Sequence, residues 1–414
     1  MPDSERYLFE KEEQALQQAR AILENEFYRE SPLFSPFFNL FQEYKRMLKQ
    51  LRILVKMGDK QQLRLNELNT QLDRSNRFIK KTFGQYLSDD IVDTILESPE
   101  GTSLGGEKRV VTTLMSDLRG FTAITERLPA ETVVRMINIY LEYMTDIILK
   151  HQGTIDEFFG DGILALFGAP VSRDDDARRA VACAMEMQLA MEDVNRQNRK
   201  EGFPQLAMGV GINTGELVVG NIGSKKRTKY GVVGSNVNLT FRIESYTVGG
   251  QVFISESTRQ SCGPILRIDD QMDVLPKGVK NSITIYEIGG IYGKYNLMLP
   301  EKKEIPLVEL ENPLPVKFSI LTGKHACDTV FPGVITRLAP AVEEAEILTE
   351  VDVNKLANLK VAIFDRSGNE MASDVYVKVM KNIDDSQNRY RVNFTSIPPE
   401  IKTLLEKINR PVKI

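Results

Sequence analysis

Two aspartates, each at a point where an apolar run meets a glycine-marked turn, constrain the fold of this chain more than any other feature. Asp117 lies in MSDLRGFT, just after the apolar run at residues 110 to 115, and Asp161 lies in DEFFGDGILALFG. The first run predicts a buried strand that ends before Asp117. Residues 153 to 168 predict two short strands joined by a tight turn at Asp161. If these strands are neighbours, both carboxylates lie at one edge of one sheet.

Paired carboxylates at a sheet edge predict a divalent metal site. A single Asp after a strand is usually a turn residue or a helix cap. Two of them at one edge can hold Mg²⁺ while leaving coordination positions open to phosphate oxygens. This layout is typical of two-metal phosphoryl transfer, in which one ion lowers the pKa of an attacking hydroxyl and the other neutralises the leaving phosphates.

Seven motifs in a fixed order carry a resemblance to a known family. They are FGQYLSDDIVDTIL, SDLRGFTAITE, FFGDGILALFGAP, DDDARRAVACAMEMQ, GVGINTGELVVGNIGS, KYGVVGSNVNLTFRIES and KGVKNSITIYEI. The region from about Phe83 to Ile288 thereby resembles the catalytic domain of the class III nucleotide cyclases, the adenylate and guanylate cyclase family. The resemblance implies an α+β fold with a ferredoxin-like core. It also implies a nucleoside triphosphate substrate that becomes a 3′,5′-cyclic monophosphate with release of pyrophosphate.

The periodicity of the chain agrees with that fold independently. Residues 131 to 151 have apolar side chains at helical spacing, and DDDARRAVACAMEMQLAMEDVN begins with acids suited to a helix N-terminus and continues as an amphipathic helix. The predicted order of strand, helix, hairpin, helix, strand and strand is βαββαβ-like.

Asn238 and Arg242 form a second group of candidate residues. At positions i and i+4 of a predicted helix they share one face, although an isolated Arg there is ordinarily just solvated. Within GSNVNLTFRIES the two resemble the family's transition-state pair, for which the permanent charge and planar donors of Arg suit a pentacoordinate phosphate. Thr240 and Phe241 stand where the family commonly has small residues, which predicts a slight shift of the helix.

The resemblance implies a homodimer with two equivalent sites. In this family the metal aspartates of one subunit meet the Asn and Arg of the other, and this chain has both sets. Asp117 and Asp161 are therefore expected to hold two Mg²⁺ or Mn²⁺ ions per site, next to Asn238 and Arg242 of a second copy. Retention of all four residues favours an active enzyme over a degenerate domain used as a nucleotide sensor or scaffold. A diguanylate cyclase is disfavoured because no GGDEF-like turn is present.

The resemblance also places residues that bind the nucleotide. Glu157 and Gly231 occupy the purine-selecting positions, and either Lys277 or Lys280 is expected to contact the triphosphate. A carboxylate at position 157 accepts from guanine N1–H and N2–H₂ but faces the N1 acceptor of adenine unpaired, at a cost of about 1–3 kcal/mol. GTP is therefore the expected substrate. ATP remains the alternative if Glu157 turns outward or pairs with a nearby lysine, and Gly231 has no side chain with which to read the base.

The N-terminal region, residues 1 to 82, is predicted to be helical. Pro32 and Pro36 interrupt it, and a second helix is expected from about Phe37. From Leu51, apolar residues at positions three or four apart predict a weak parallel coiled coil, with a plain amphipathic packing helix as the alternative. These apolar residues are Leu51, Leu54, Leu65, Leu68, Leu72 and Ile79. An upstream signalling partner could act through these helices.

Composition excludes several classes of protein. The 414 residues carry a net charge of −4, which gives no indication of nucleic-acid binding. No apolar run reaches the length of roughly 18 residues needed to cross a membrane, and the first residues are too charged for a secretory signal. Three scattered cysteines and two histidines exclude a disulfide framework or a zinc cluster and indicate a cytoplasmic protein.

The C-terminal region is predicted to be a small β-barrel. Residues 291 to 315 are predicted to be a linker, because the stretch KKEIPLVELENPLP within them contains Pro306, Pro313 and Pro315. Residues 316 to 414 contain five or six short strand segments and a terminal helix. They faintly resemble a PilZ domain, but the motifs that bind cyclic diguanylate are absent: TRLAPAVEEAE occupies the expected place. A packing or dimer-contact role is expected instead of ligand binding.

Overall fold

The computed structural model forms two compact units, Met1–Tyr86 and Leu87–Ile414. It describes residues 8–83, 104–224, 226–276, 281–301, 305–322, 325–326, 329–384 and 388–409. Among these residues, no helix is both long enough and apolar enough to cross a membrane.

The described residues of the first unit contain two helices and a short turn between them. Helix α1 (Glu10–Glu24) is followed by a 3-10 turn, and helix α2 runs over Phe34–Phe83. Helix α2 starts three residues before the predicted Phe37, because Pro36 lies in its first turn, where the missing N–H breaks no intrahelical hydrogen bond.

The predicted leucine stripe lies exposed along α2. Five of its leucines are 44% to 66% exposed: Leu51, Leu54, Leu65, Leu68 and Leu72. The side chain of Ile79 lies outside the described residues. A row of exposed leucines agrees with a partner helix, but the coiled coil stays a prediction.

A mixed sheet forms the centre of the second unit. Its strands follow the order β2-β3-β1-β4-β6-β8-β7, with β5 on β4 and β9 on β8. The strands are β1 (Gly105–Leu118), β2 (Thr154–Phe159), β3 (Gly162–Phe167), β4 (Met208–Ser224), β5 (Arg227–Val233), β6 (Val252–Ser255), β7 (Leu266–Val274), β8 (Ile283–Ile291) and β9 (Leu297–Met298). The predicted hairpin is present as β2 and β3, and β1 is antiparallel to both β3 and β4.

Helices cover both faces of this sheet. They are α3 (Phe121–Thr125), α4 (Ala130–Lys150), α5 (Asp176–Lys200), α6 (Ser235–Ser245) and α7 (Glu256–Cys262). On β1, Leu114 packs into the core that contains α4 and α5, whereas Val111 and Met115 pack with Val237 of α6. Strand β1 is therefore buried on both sides, which explains its continuous apolar and β-branched sequence. The order of helices and strands agrees with the prediction, and the ferredoxin-like assignment remains a prediction from the resemblance.

The C-terminal strands close into a barrel of six, as the sequence predicted. Around the barrel the order is β10-β12-β13-β16-β15-β14, and β14 pairs back onto β10. The elements are β10 (Val308–Thr322), β11 (His325–Ala326), β12 (Phe331–Leu338), β13 (Glu344–Thr349), β14 (Asn358–Phe364), β15 (Glu370–Asp384), β16 (Arg389–Ser396) and a terminal helix α8 (Pro399–Ile408). The likeness to a PilZ domain stays a prediction from the sequence.

The predicted linker at residues 291 to 315 is shorter in the structure. Strand β8 extends to Ile291, and β10 begins at Val308 and includes Pro313 and Pro315. The register of β10 against β12 shifts between Glu309 and Leu314, next to these prolines. Prolines are tolerated in a strand at such irregularities because no regular hydrogen bond requires their missing N–H. The domain boundaries themselves remain predictions.

Candidate active site

The sheet brings the two aspartates together. Ser116 on β1 is paired with Ile163 on β3, so the turn between β2 and β3 lies beside the end of β1. The backbone N–H of Leu118 donates to Asp161 Oδ2 at 3.2 Å. Strand β1 extends through Leu118, so Asp117 is part of the strand and does not follow it as predicted, because its pairing with Gly209 continues the ladder with β4.

The carboxylates of this pair repel each other. Burial, and then the negative charge of Asp117, raise the pKa of Asp161 to about 6. A divalent cation between the two oxygens would relieve that repulsion, and carboxylate oxygens are the ligands preferred by Mg²⁺ and Mn²⁺. The residues present therefore fit such an ion. Within the described ranges, no cluster of three or more His, Cys, Asp or Glu side chains offers another metal site.

Arg119 joins the aspartate pair to helix α6. Its guanidinium donates to Asp117 Oδ2 at 3.0 Å and also to the Glu244 carboxylate, and both Arg119 and Glu244 are largely buried. Sequence reasoning missed both residues. Arg119 stands two positions after a metal-ligand candidate, which is a weak local signal, but nothing in the sequence pairs it with a glutamate 125 residues away.

Asn238 and Arg242 lie on α6, as predicted, with Asn238 exposed and Arg242 half-buried. In the described part of the chain, no hydrogen bond or ion pair joins either side chain to Asp117 or Asp161. The two neighbours that depart from the family pattern are accommodated. Thr240 is buried and hydrogen-bonds Thr113 on β1, and Phe241 contacts Phe159 edge-on at 5.5 Å between ring centroids.

The predicted base-selecting residues lie around Lys229 on β5. Its ammonium donates to Glu157 Oε2 at 2.7 Å and to Asp156 Oδ2 at 3.0 Å. Although burial opposes it, these two bonds raise the pKa of Lys229 and keep it charged. Glu157 is thus paired with a nearby lysine, as in the alternative considered for it, but remains 46% exposed. Its Oε1 is outside that ion pair and can still accept hydrogen bonds.

Asp156, which sequence reasoning missed, is the carboxylate that faces Gly231. Asp156 stands at a register shift between β2 and β3, and its side chain is only 5% exposed. A Cβ atom at Gly231 would lie 3.0 Å from Asp156 Oδ1, so any larger side chain at position 231 requires Asp156 to move. The two candidate triphosphate lysines, Lys277 and Lys280, lie outside the described residues.

A cavity of about 230 Å³ opens beside the aspartate pair. Its walls include Asp117, residues 118–122, Phe159 and Asp161, which belong to the mixed sheet and to the turns beside it. The barrel contributes the remaining wall through Asn358, Lys378 and Thr395. The C-terminal barrel is therefore part of the surroundings of the aspartate pair.

The segment that carries the aspartate pair matches a known protein family. Residues 106–290 match the family described as the adenylate and guanylate cyclase catalytic domain. This segment belongs to that family. The chain is 30% identical over 234 residues to adenylate cyclase 1 of Rhizobium meliloti (strain 1021), which covers 56% of this chain and 35% of that protein. It is 32% identical over 237 residues to an adenylate cyclase of Anabaena cylindrica, covering 55% of this chain and 45% of the relative.

A solved cyclase structure matches the same region. The crystal structure of the guanylyl cyclase Cya2 shares 57% sequence identity, covers 48% of this chain and 100% of that chain, and superposes with a TM-score of 0.47. The description of the matched family names both adenylate and guanylate cyclases, so membership of the family does not decide the base. The prediction that this region is a nucleotide cyclase domain is confirmed. The chain spans less than half the length of the two curated relatives, so the activity of the whole protein is a proposal.

The raised pKa of Asp161 predicts an effect on the stability of the cyclase domain without metal. Between about pH 4 and pH 6 the folded state holds a proton that the unfolded state has lost, so the free energy of unfolding falls as pH rises through this range. Asp161→Asn removes the charge and keeps the acceptor for Leu118 N–H. Above pH 6 in EDTA, we expect this variant to be more stable than the parent by about 1 kcal/mol, allowing for partial exposure, and to melt about 2 °C higher.

Thermal unfolding with and without excess Mg²⁺ checks this expectation. Added Mg²⁺ should raise the melting temperature of the parent and leave that of Asp161→Asn nearly unchanged, because only the parent offers both carboxylates. If the Asp161→Asn variant melted below the parent in EDTA at mildly alkaline pH, the Asp161 carboxylate would not be destabilised by burial and by Asp117.

Proposed function

We propose that the chain is a nucleotide cyclase, which converts a nucleoside triphosphate to its 3′,5′-cyclic monophosphate and pyrophosphate in a homodimer, with GTP favoured over ATP. The observation that carries the proposal is the mutually repelling pair of Asp117 and Asp161, at the end of adjacent strands in a domain of the cyclase family. Such a pair is suited to divalent ions and to the phosphates that these ions bind.

Each residue then has a defined task. Asp117 and Asp161 hold the metal, and Arg119 fixes the orientation of Asp117 through its hydrogen bond to Oδ2. Mg²⁺ or Mn²⁺ bound there would supply a Lewis acid that lowers the pKa of the ribose 3′-hydroxyl and neutralises charge on the departing pyrophosphate. Arg242 stabilises the charge that develops on the α-phosphate, and Asn238 donates an amide hydrogen bond from the same helix face.

A homodimer accounts for the separation of Asn238 and Arg242 from the aspartate pair. Asn238 and Arg242 lie on α6 and make no hydrogen bond or ion pair with the aspartates in the described part of the chain. A two-fold arrangement would place this helix of one copy against the aspartates of the other and create two equivalent sites. The exposure of Asn238 agrees with a surface that a second copy covers.

A direct assay tests the proposed reaction. Purified full-length chain is incubated with GTP or ATP, each with Mg²⁺ or Mn²⁺, and cyclic nucleotide is measured. We expect cyclic product with at least one nucleotide and no product in EDTA. Absence of product with both nucleotides and both metals, from folded dimeric protein, would favour the alternative of a cyclase-like nucleotide sensor or scaffold.

Base preference is proposed to depend on Glu157. Lys229 holds one oxygen of its carboxylate and leaves the other to accept from guanine, while Gly231 provides no side-chain acceptor for the exocyclic amino group of adenine. Glu157→Lys replaces the acceptor by a donor, so the GTP to ATP ratio in kcat/KM should fall at least about tenfold, or about 1.4 kcal/mol. Activity with GTP should be lost more than activity with ATP is gained.

Glu216→Lys is the matched control, because it reverses the same charge on an exposed strand residue that also pairs with a lysine, Lys108. It should leave the ratio unchanged. If the parent prefers ATP, or Glu157→Lys leaves the ratio as it was, Glu157 does not read the base.

A further inference from the structure

The barrel buries a lysine in the surroundings of the active site. Lys378 on β15 is 1% exposed, although lysine is almost never fully buried without partners. Its partners belong to the catalytic domain: Nζ donates to the backbone carbonyls of Ser245 at 2.6 Å and Thr247 at 2.8 Å. The amino group of a barrel side chain is thus fixed by backbone carbonyls of the catalytic domain.

These carbonyls lie at the C-terminal end of helix α6. Ser245 is the last residue of α6, and Thr247 follows two positions later. The last carbonyls of a helix have no intrahelical donor, so a side-chain amino group that donates to them satisfies acceptors that the helix itself leaves open. Lys378 therefore acts as a cap for the helix that carries Asn238 and Arg242.

An apolar contact supports the same helix end. Leu356 of the barrel is buried in a cluster with Ile243 of α6 and with Phe253 and Ile285 of the catalytic sheet. The barrel also approaches the loop after Asp117 closely: a Cβ atom at Gly120, whose φ is +67°, would lie 2.6 Å from the carbonyl oxygen of Thr395. The barrel therefore packs against both the helix and the aspartate loop.

We propose that the C-terminal barrel positions helix α6 for catalysis and that Lys378 is the positioning residue through which it does so. The proposal rests on the proposed function, because it assigns the barrel a task in that reaction.

The contacts define how the position of α6 affects the reaction. Arg119 bridges Asp117 and Glu244, so the last turn of α6 is joined to the metal aspartate on one side and to Lys378 on the other. Arg242 lies in that last turn, three residues before Ser245. Loss of the cap would displace Arg242 from the transition state, whereas Asp117 and Asp161 stay fixed by the pairing of β1 with β3 and β4 and by the Leu118 N–H. The expected defect is in kcat and not in KM.

Lys378→Met tests the proposal in the full-length chain. Methionine has a similar length but donates no hydrogen bond, so the carbonyls of Ser245 and Thr247, the second of them buried, lose this donor. We expect kcat to fall at least about tenfold while KM for the metal–nucleotide complex changes less than about threefold. Lys317→Met, which removes an exposed barrel lysine that lies over the ring of Phe364, is the matched control and should retain parental kcat. A raised KM with unchanged kcat would overturn the positioning role in favour of substrate binding.

A double mutant separates positioning from general destabilisation. If Lys378 acts through Arg242, Lys378→Met should lower the residual activity of Arg242→Ala by less than about twofold. If the fold-losses in activity of Lys378→Met and Arg242→Ala multiply in the double mutant, Lys378 acts independently of α6. If Lys378→Met fails to fold, Leu356→Ala replaces it, with the same expected selective loss of kcat, and an unchanged kcat in that variant would also contradict the proposal.

Hydrogen exchange distinguishes failure of this inference from failure of the proposed function. If the parent makes no cyclic nucleotide, the function is wrong, but the amides of residues 235–245 should still exchange at least about tenfold faster in Lys378→Met than in Lys317→Met. Equal protection in the two variants would show that the barrel does not hold α6.

Discussion

Replacing either Asp117 or Asp161 by alanine is expected to lower cyclic nucleotide formation to less than about a tenth of the parental rate, because each change removes half of the paired carboxylates that bind the metal. The fold should persist, since Asp161 is in a turn and Asp117 is at the partly exposed end of a strand. Initial rates of cyclic product formation at saturating Mg²⁺ or Mn²⁺, with circular dichroism to verify folding, provide the measurement.

Asp146→Ala is the appropriate control, because Asp146 is an exposed aspartate on helix α4 and is not on the strands or the turn that carry Asp117 and Asp161. It should retain the parental rate. Either site variant retaining more than about a tenth of parental turnover would contradict the metal assignment. So would a rate that is the same in EDTA as in Mg²⁺.

Local sequence patterns predicted the elements that carry these aspartates. The continuous apolar run of β1 is explained by helices on both of its faces, and the glycines that flank Asp161 mark a turn that the structure contains. The i and i+4 spacing of Asn238 and Arg242 likewise placed them on a helix. These signals succeed because each depends on the geometry of a few consecutive residues.

The missed features depend on contacts between distant residues. Lys378 and Ser245 are 133 residues apart, and no periodicity or turn signal relates them. Strand β13 shows the same limit: Glu346 is buried in the barrel, where Thr336 donates to it and two arginines lie nearby, so the buried positions of this strand are not all apolar. Lys378 and Glu346 are buried because polar groups from other parts of the chain pair with them. The spacing of residue types along the sequence does not indicate such pairing.

Mixing two inactive variants is expected to restore activity if each site is shared between two chains. Asp117→Ala retains a functional α6, and Arg242→Ala retains both metal aspartates. In a mixed dimer, one site combines the two intact halves and the other combines the two defective halves. With equal amounts and complete exchange, half of the dimers are mixed and each has one good site of two, so about a quarter of the parental activity should return.

The measurement is cyclic product formation after the variants have been combined, exchanged at low concentration and reconcentrated. Differently tagged subunits and co-purification should verify that exchange took place. Mixing Asp117→Ala with Asp161→Ala is the matched negative control, because both changes affect the aspartate half of the site and every pairing leaves each site defective. Demonstrated exchange without recovery in the first mixture would place the whole site within one chain. In that case Arg242 would have to reach the aspartates of its own chain, to which α6 is already joined by the Arg119 bridge between Asp117 and Glu244.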